Sequence, residues 1–255
     1  MSAKRVVLSA ARPTTSLASL LLLALPALQP LATGQLVCGY DQVLHLWRAL
    51  EAHALLAQGV LFARWQPHMA LGLGYPLFTF NPPLSAWLAA GFRALGMTWP
   101  AAVNAVFGVG LLLTAWSTWV LVRAWWGDGA GLVAGAAITV FPFHAYVTYH
   151  RGSMSEVLAW AFPPLVLWGL VRYGRNGHRR GLVGAAGGMA LLLLTHDASA
   201  YLFLPLALVS ALALAAGSRS RAVLLRTLAA LGLSLIHISE PTRLLSISYA
   251  VFCLK

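Results

Sequence analysis

Long apolar runs separated by clusters of arginine constrain this chain more than any other feature. The runs lie near 16–31, 82–95, 100–122, 130–147, 157–171, 181–195 and 199–216. Their length and repetition argue for a polytopic helical membrane protein. Composition agrees: 60% of the residues are hydrophobic and 9% are charged, against about 25% charged in soluble domains. The predicted fold class is all-α, a polytopic transmembrane helical bundle of about six spans plus a re-entrant or interfacial helix.

The net charge of +11 raises nucleic-acid binding as a class. The arginines argue against it. They sit in short clusters between apolar runs, and no basic helix carries interleaved stacking aromatics. Cys38 and Cys253 form no metal or redox motif.

The last 23 residues form a separate unit. Leu233 to Arg243 reads LSLIHISEPTR, then come Leu244, Leu245 and Ser246, then ISYAVFCLK. Both constant parts resemble, in order, a translated sequencing-library adapter. The expected organisation is therefore 1–232, the N-terminal fragment of a longer membrane-embedded domain with a long outer loop at 34–99, followed by a non-native tail at 233–255. Such segments are kept out of fold reasoning, which removes Glu240 and makes a Cys38–Cys253 disulfide foreign to the fold.

Charge and parity give a topology. Lys4, Arg5 and Arg12 precede the first run, Arg172, Arg175, Arg179 and Arg180 follow the fifth, and Arg219, Arg221 and Arg226 follow the seventh. Short basic loops mark the cytoplasmic side, so all three clusters are expected inside. Five runs separate the first two clusters, and an odd number of crossings would put them on opposite sides. One run should not span. The run at 82–95 opens with Pro82-Pro83, contains Arg93 and is short of ~20 residues; it reads as the re-entrant or interfacial helix. The alternative is that one arginine cluster lies outside. The first run also fits a signal peptide, whose cleavage would leave the rest unchanged.

This topology collects the rare acids. Asp41, Glu51, Glu156 and Asp197 fall on the outer side and Asp128 on the inner side. Acids near or within a bilayer are costly, which makes them functional-site candidates. Asp41, His45 and Arg48 follow one another at i, i+4 and i+7, one face of a helix, opposite Leu46, Leu50 and Ala54. A plain capping Asp on a solvated face is the competing reading. The following loop, LFARWQPHMALGLGYPLFTFNPPL, holds Trp65, Tyr75, Phe78 and Phe80, which suit an interfacial belt. Its glycines and prolines forbid a regular helix. Arg64 and His68 there are candidate phosphate contacts. The segment AYVTYHRGSMSE supplies His150, Arg151 and Glu156, and LLLLTHDASAY supplies His196-Asp197 at a run boundary. Glu156 and Asp197 also fit ordinary first-turn or capping acids. A His beside an Asp suits a proton relay, a metal pair or an oriented base.

The order of these features (a span, an acid-bearing outer helix, a GYP-F-F-PPL loop, an HRGSMSE turn, then HD) resembles polytopic glycosyltransferases of the GT-C class. It is most similar to bacterial membrane proteins labelled 6-pyruvoyl-tetrahydropterin-synthase-related; no pterin chemistry follows from that label. The resemblance covers about 39–197. It implies a multi-pass protein of the bacterial plasma membrane with a cytoplasmic N-terminus. The implied activity is transfer of a hexosyl or pentosyl group from a polyprenyl-phosphate-linked sugar to a glycan, lipid or protein acceptor on the extracytoplasmic face.

Asp41 and Glu156 match the family's catalytic acids in position. His45, Arg48, Arg64, His150, Arg151, His196 and Asp197 are then the expected substrate-binding residues. Where some members carry an acid pair, this chain has Asp41-Gln42, so a divalent cation is possible but the metal is left open. The expected partners are the lipid-linked sugar, its acceptor and membrane lipids. The competing function is a non-catalytic transporter or a scaffold binding a lipid-linked glycan. A transport path would carry polar residues through the midplane, where Asn104 and His144 are the main candidates.

Overall fold

The computed structural model describes residues 13–218, together with 222, 223, 225, 226, 228, 229 and 232. The tail at 233–255 and the basic residues Lys4, Arg5, Arg12, Arg219 and Arg221 lie outside the described residues. Those described are helical, apart from loops and one isolated antiparallel bridge between Gln66 and Tyr75.

The helices in chain order are α1 (Pro13–Leu28), α2 (Gln42–Ala57), α3 (Leu77–Phe80), α4 (Leu84–Ala94), α5 (Trp99–Trp126), α6 (Asp128–Thr139), α7 (Pro142–Ala145), α8 (Met154–Ala159), α9 (Phe162–Asn176), α10 (Arg179–Thr195) and α11 (Asp197–Ser218). A 3-10 turn, Gln29–Thr33, extends α1, and a π-helical turn, Tyr146–Arg151, follows α7.

Local chemistry sets several of these boundaries. Thr98 caps α5 by accepting the Ala101 N–H, and Pro100 sits in the first turn, where its missing N–H costs nothing. Pro142 separates α6 from α7, since a proline inside a helix removes a hydrogen bond and clashes with the preceding turn.

Four described helical segments are long and apolar enough to cross a membrane: Ser16–Thr33, Trp99–Trp126, Met154–Asn176 and Asp197–Leu214. The bent pair Asp128–Thr139 and Pro142–Arg151 makes a fifth if it acts as one span. This is a membrane-type bundle, with four or five spans where six were expected. One expected span falls short at α10, whose 17 residues, two of them arginine, reach only ~25 Å at 1.5 Å per residue; the other in question is the bent pair. The run at 82–95 becomes α4, an 11-residue helix too short to cross, packed against α2 and α5.

The core lies where α5, α8, α9, α10 and α11 meet. Phe107, Leu111, Met154, Leu158, Leu170, Met189 and Leu192 are its largest fully buried apolar side chains. The α9–α10 hairpin is drawn tight by small residues. A Cβ on Gly181 would lie 2.6 Å from the Tyr173 amide nitrogen, so the two backbones approach as small-residue membrane interfaces do.

The bundle separates two ends. At one end α1 and α6 begin together, with Ser16 Oγ donating to the Asp128 carboxylate. The α9–α10 turn, Arg172–Arg180 and Arg226 lie there as well; Arg226 faces Gly177 in that turn. Asp41, Arg151, Glu156, His196 and Asp197 gather at the other.

Candidate functional site

A backbone clamp builds the site. Gly39 lies against Gly152 so closely that a Cβ on Gly39 would sit 2.8 Å from the Gly152 Cα. Gly152 adopts φ +72°, a left-handed conformation open to glycine at little cost. The Asp41 N–H then donates to the Arg151 carbonyl at 2.9 Å. The start of α2 is thereby fixed to the end of the π-helical turn, across 110 residues of sequence. Such turns occur often at functional sites.

Arg151 occupies the centre of this junction. Its Nε donates to the Asp41 carboxylate at 3.3 Å, and one terminal nitrogen donates to Glu156 at 2.7 Å. Asp41 makes no cap bond to α2, which removes the reading of a simple capping acid. Asp197 does carry a local bond, accepting the Ala198 N–H at 2.8 Å. His196 Nδ1 accepts the Ser199 N–H at 3.2 Å and lies 2.7 Å from the Ser199 hydroxyl. With Nδ1 accepting a backbone N–H, the neutral ring carries its proton on Nε2.

These residues surround a cavity of about 190 Å³. Asp41, His45 and Arg48 line it from α2, Arg151 from the π-helical turn, and His196 and Asp197 from the α10–α11 junction. Six of the nine expected site residues are therefore brought together. Glu156 joins them through Arg151 and also borders a larger, mainly apolar cavity of about 480 Å³, with Phe143, Trp160 and Phe203.

His45 is buried, and its Nδ1 has no hydrogen-bond partner. Burial, reinforced by Arg48, His196 and Arg151, pushes its pKa down to about 3, so the ring is neutral. Burial also lowers Arg48, against the attraction of Asp41 and Tyr75. The buried Nε of Arg48 has no partner, and the side chain makes no ion pair among the described residues. His196 is lowered by burial, with Glu156 and Asp197 opposing the shift and Arg151 and Arg48 adding to it.

Two expected site residues fall elsewhere. Arg64 is exposed on the α2–α3 loop and lines none of these cavities. His150 stacks on Tyr146, with centroids 4.9 Å apart, and packs beside Tyr40. Glu51 also stays apart: it is buried and held by His68 Nδ1 at 3.1 Å, tying α2 to its loop.

The expected apolar face of α2 is corrected as well. Its buried stripe is Gln42, His45, Ala49, Ala52 and Leu55, while Val43, Leu44 and Trp47 are exposed. Leu46 does pack on the core; Leu50 and Ala54 are half-buried. Of the loop aromatics, Trp65, Tyr75 and Phe80 are exposed, and Phe78 packs on a small α2–α4 cluster.

Sequence reasoning missed Asn81, Ser153, Ser155 and Thr195 in the cavity wall. All four lie within the NPP, HRGSMSE and THD strings, but a short polar residue carries no signal apart from its neighbours. Ser155 also shares a 2.7 Å hydroxyl contact with Ser85, linking α8 to α4. Gln42, also missed, is buried with both amide atoms unpartnered, beside Gly152.

The two midplane candidates sit in different surroundings. Asn104 donates to the carbonyls of Leu31 and Gln35, fastening the end of the 3-10 turn to α5. His144 is fully buried against Trp160. Among the described residues, no three His, Cys, Asp or Glu side chains stand close enough together to hold a metal ion. No family model matches the chain, and neither a curated protein nor a solved structure is similar to it.

Proposed function

We propose that this protein is a GT-C-like glycosyltransferase that works on a polyprenyl-phosphate-linked sugar at the extracytoplasmic face. The observation that carries this reading is the pairing of Asp41 with Arg48 in one cavity. Arg48 is a half-buried cation with an unsatisfied donor, and a phosphate is its natural counter-charge. Asp41 is a carboxylate open to the cavity.

In the transfer, Asp41 takes the proton of an acceptor hydroxyl as that oxygen bonds to the anomeric carbon. The bond from that carbon to the phosphate oxygen breaks, and the lipid phosphate leaves with the electron pair, its charge met by Arg48. Burial keeps the His45 ring neutral, with its pKa pushed down to about 3. Its neutral ring suits hydrogen bonding to a sugar hydroxyl. Arg151 holds Asp41 and Glu156 in place.

The apolar cavity beside Glu156 offers a path for the isoprenoid chain. About 190 Å³ is below the ~300–1,000 Å³ of drug-sized sites and fits a phosphate-linked monosaccharide head. The extracytoplasmic assignment rests on the arginine-rich opposite end and the positive-inside bias.

The test uses protein in lipid nanodiscs with a panel of short-chain polyprenyl-phosphate hexoses and pentoses. Release of lipid phosphate is measured with an acceptor alcohol present. Asp41→Asn should slow release by ~10²–10⁴-fold and Arg48→Gln should weaken donor binding. Equal turnover by wild type and Asp41→Asn would remove the proposed chemistry.

A further inference from the structure

A third cavity, of about 450 Å³, opens between α1, α5 and α9 at the end of the bundle away from Asp41 and Glu156. Its lining is aromatic: Trp116, Trp119 and Trp168, with Leu17 and Leu165 beside them. Arg123 belongs to the same wall.

The cations at this groove are parked on its tryptophans. The Arg123 guanidinium lies 4.0 Å from the Trp119 ring centroid, and that of Arg172 lies 5.4 Å from the Trp168 ring. Both distances are within cation–π range. A guanidinium over an indole face still has N–H groups to offer an anion. Neither arginine makes an ion pair among the described residues. The acid at this end, Asp128, makes no ion pair with them; its carboxylate accepts from Ser16 Oγ and from Trp119 Nε1 at 3.0 Å. Asp128 instead fixes the Trp119 ring on which Arg123 rests. Exposed Arg175, Arg179 and Arg180 add positive charge to the same end.

An apolar, Trp-lined groove with free arginines at its rim matches one class of ligand: a molecule with a greasy chain and an anionic head. We propose that it is a binding site for an anionic diacyl phospholipid. One acyl chain lies along Trp116, Trp119 and Trp168, and the phosphate sits on Arg123 with Arg172 as the second cation. Basic pockets between membrane helices bind anionic head groups by this chemistry. The site is separate from the acid-lined cavity and does not depend on its function.

The experiment is native mass spectrometry of the delipidated full chain, titrated with phosphatidylglycerol or phosphatidylcholine of matched acyl length. Phosphatidylglycerol should bind about tenfold more tightly, and Arg123→Gln with Arg172→Gln should remove that preference. A parallel variant, Arg175→Gln with Arg179→Gln and Arg180→Gln, should retain most of it.

Equal binding of the two lipids by wild type would overturn the proposal. So would a preference that survives Arg123→Gln with Arg172→Gln, or one lost only in the parallel variant. A benzophenone amino acid in place of Leu165 identifies the occupant: photo-adducts with phospholipid support the site. Adducts with residues 1–12 of this chain, or with a second copy, would contradict it.

Discussion

Arg151 joins Asp41 to Glu156, donating at 3.3 Å to the first and 2.7 Å to the second. Two acids far apart in sequence are thereby given one shared counter-charge. Removing it leaves Glu156, largely enclosed, without its partner. Arg151→Gln should destabilise the protein by ~2 kcal/mol, the worth of a hydrogen bond to a charged group. Adding Glu156→Gln should recover part of that loss. Denaturant titration of the double-mutant cycle in detergent measures the coupling, and strictly additive effects would show the pair to be energetically idle.

The Gly39–Gly152 contact makes a second prediction. A methyl group on Gly39 would force the two backbones apart, since 2.8 Å is closer than a Cβ can approach a Cα. Gly152→Ala would add a left-handed alanine, which costs ~1–2 kcal/mol. Either variant should lower the melting temperature and weaken ligand binding at Arg48. Unchanged melting in both would place the clamp elsewhere.

His45 supplies a pH dependence. Its pKa is about 3 in the fold and 6.5 as a free side chain, so between those values the unfolded chain binds a proton that the folded one does not. The stability it lends is fully present above pH 6.5 and is lost as the pH falls towards 3. The slope is at most ~1.4 kcal/mol per pH unit, and half-buried His196, also lowered, acts in the same direction. Thermal melts from pH 7.5 to 4.5 should show this decline, and His45→Gln should flatten it.

Much of this site was legible in the sequence because charges are rare against an apolar background. Asp41, His45 and Arg48 are spaced to share a helix face, and they do line one cavity. Arg151, His196 and Asp197 stand at the boundaries of apolar runs, which parity brought to the same end. Tertiary partnerships left no such trace. Glu51 has the same rarity as Asp41, yet it pairs with His68 across a loop whose path no periodicity reveals. Arg64 and His150 have the right chemistry and face away. For the fold, Pro82-Pro83 rightly marked a helix that does not cross. The run at 130–147 gave no sign of ending in a π-helical turn, and α10 kept its apolar pattern while falling short of a span.

Gln66 shows how the outer loop is held. Its side chain is fully buried, donating to the Ala63 carbonyl at 2.8 Å and accepting the Leu77 N–H at 2.6 Å. Gln66→Ala removes both bonds and leaves the Leu77 N–H only its 2.9 Å contact with the Tyr75 carbonyl, at a cost of ~1 kcal/mol. Limited proteolysis should then cut within 58–76 several-fold faster, while cleavage in the 177–178 turn stays constant. Equal cleavage at both places would contradict this role.

The account stands on the rare charges meeting in one cavity at one face of a membrane. Single cysteines at 41, 178 and 197, in a Cys38→Ser, Cys253→Ser background within intact vesicles, test this with a membrane-impermeant maleimide. Positions 41 and 197 should label from the same side, and 178 from the opposite side. Labelling of 41 and 197 from opposite sides would contradict the shared cavity.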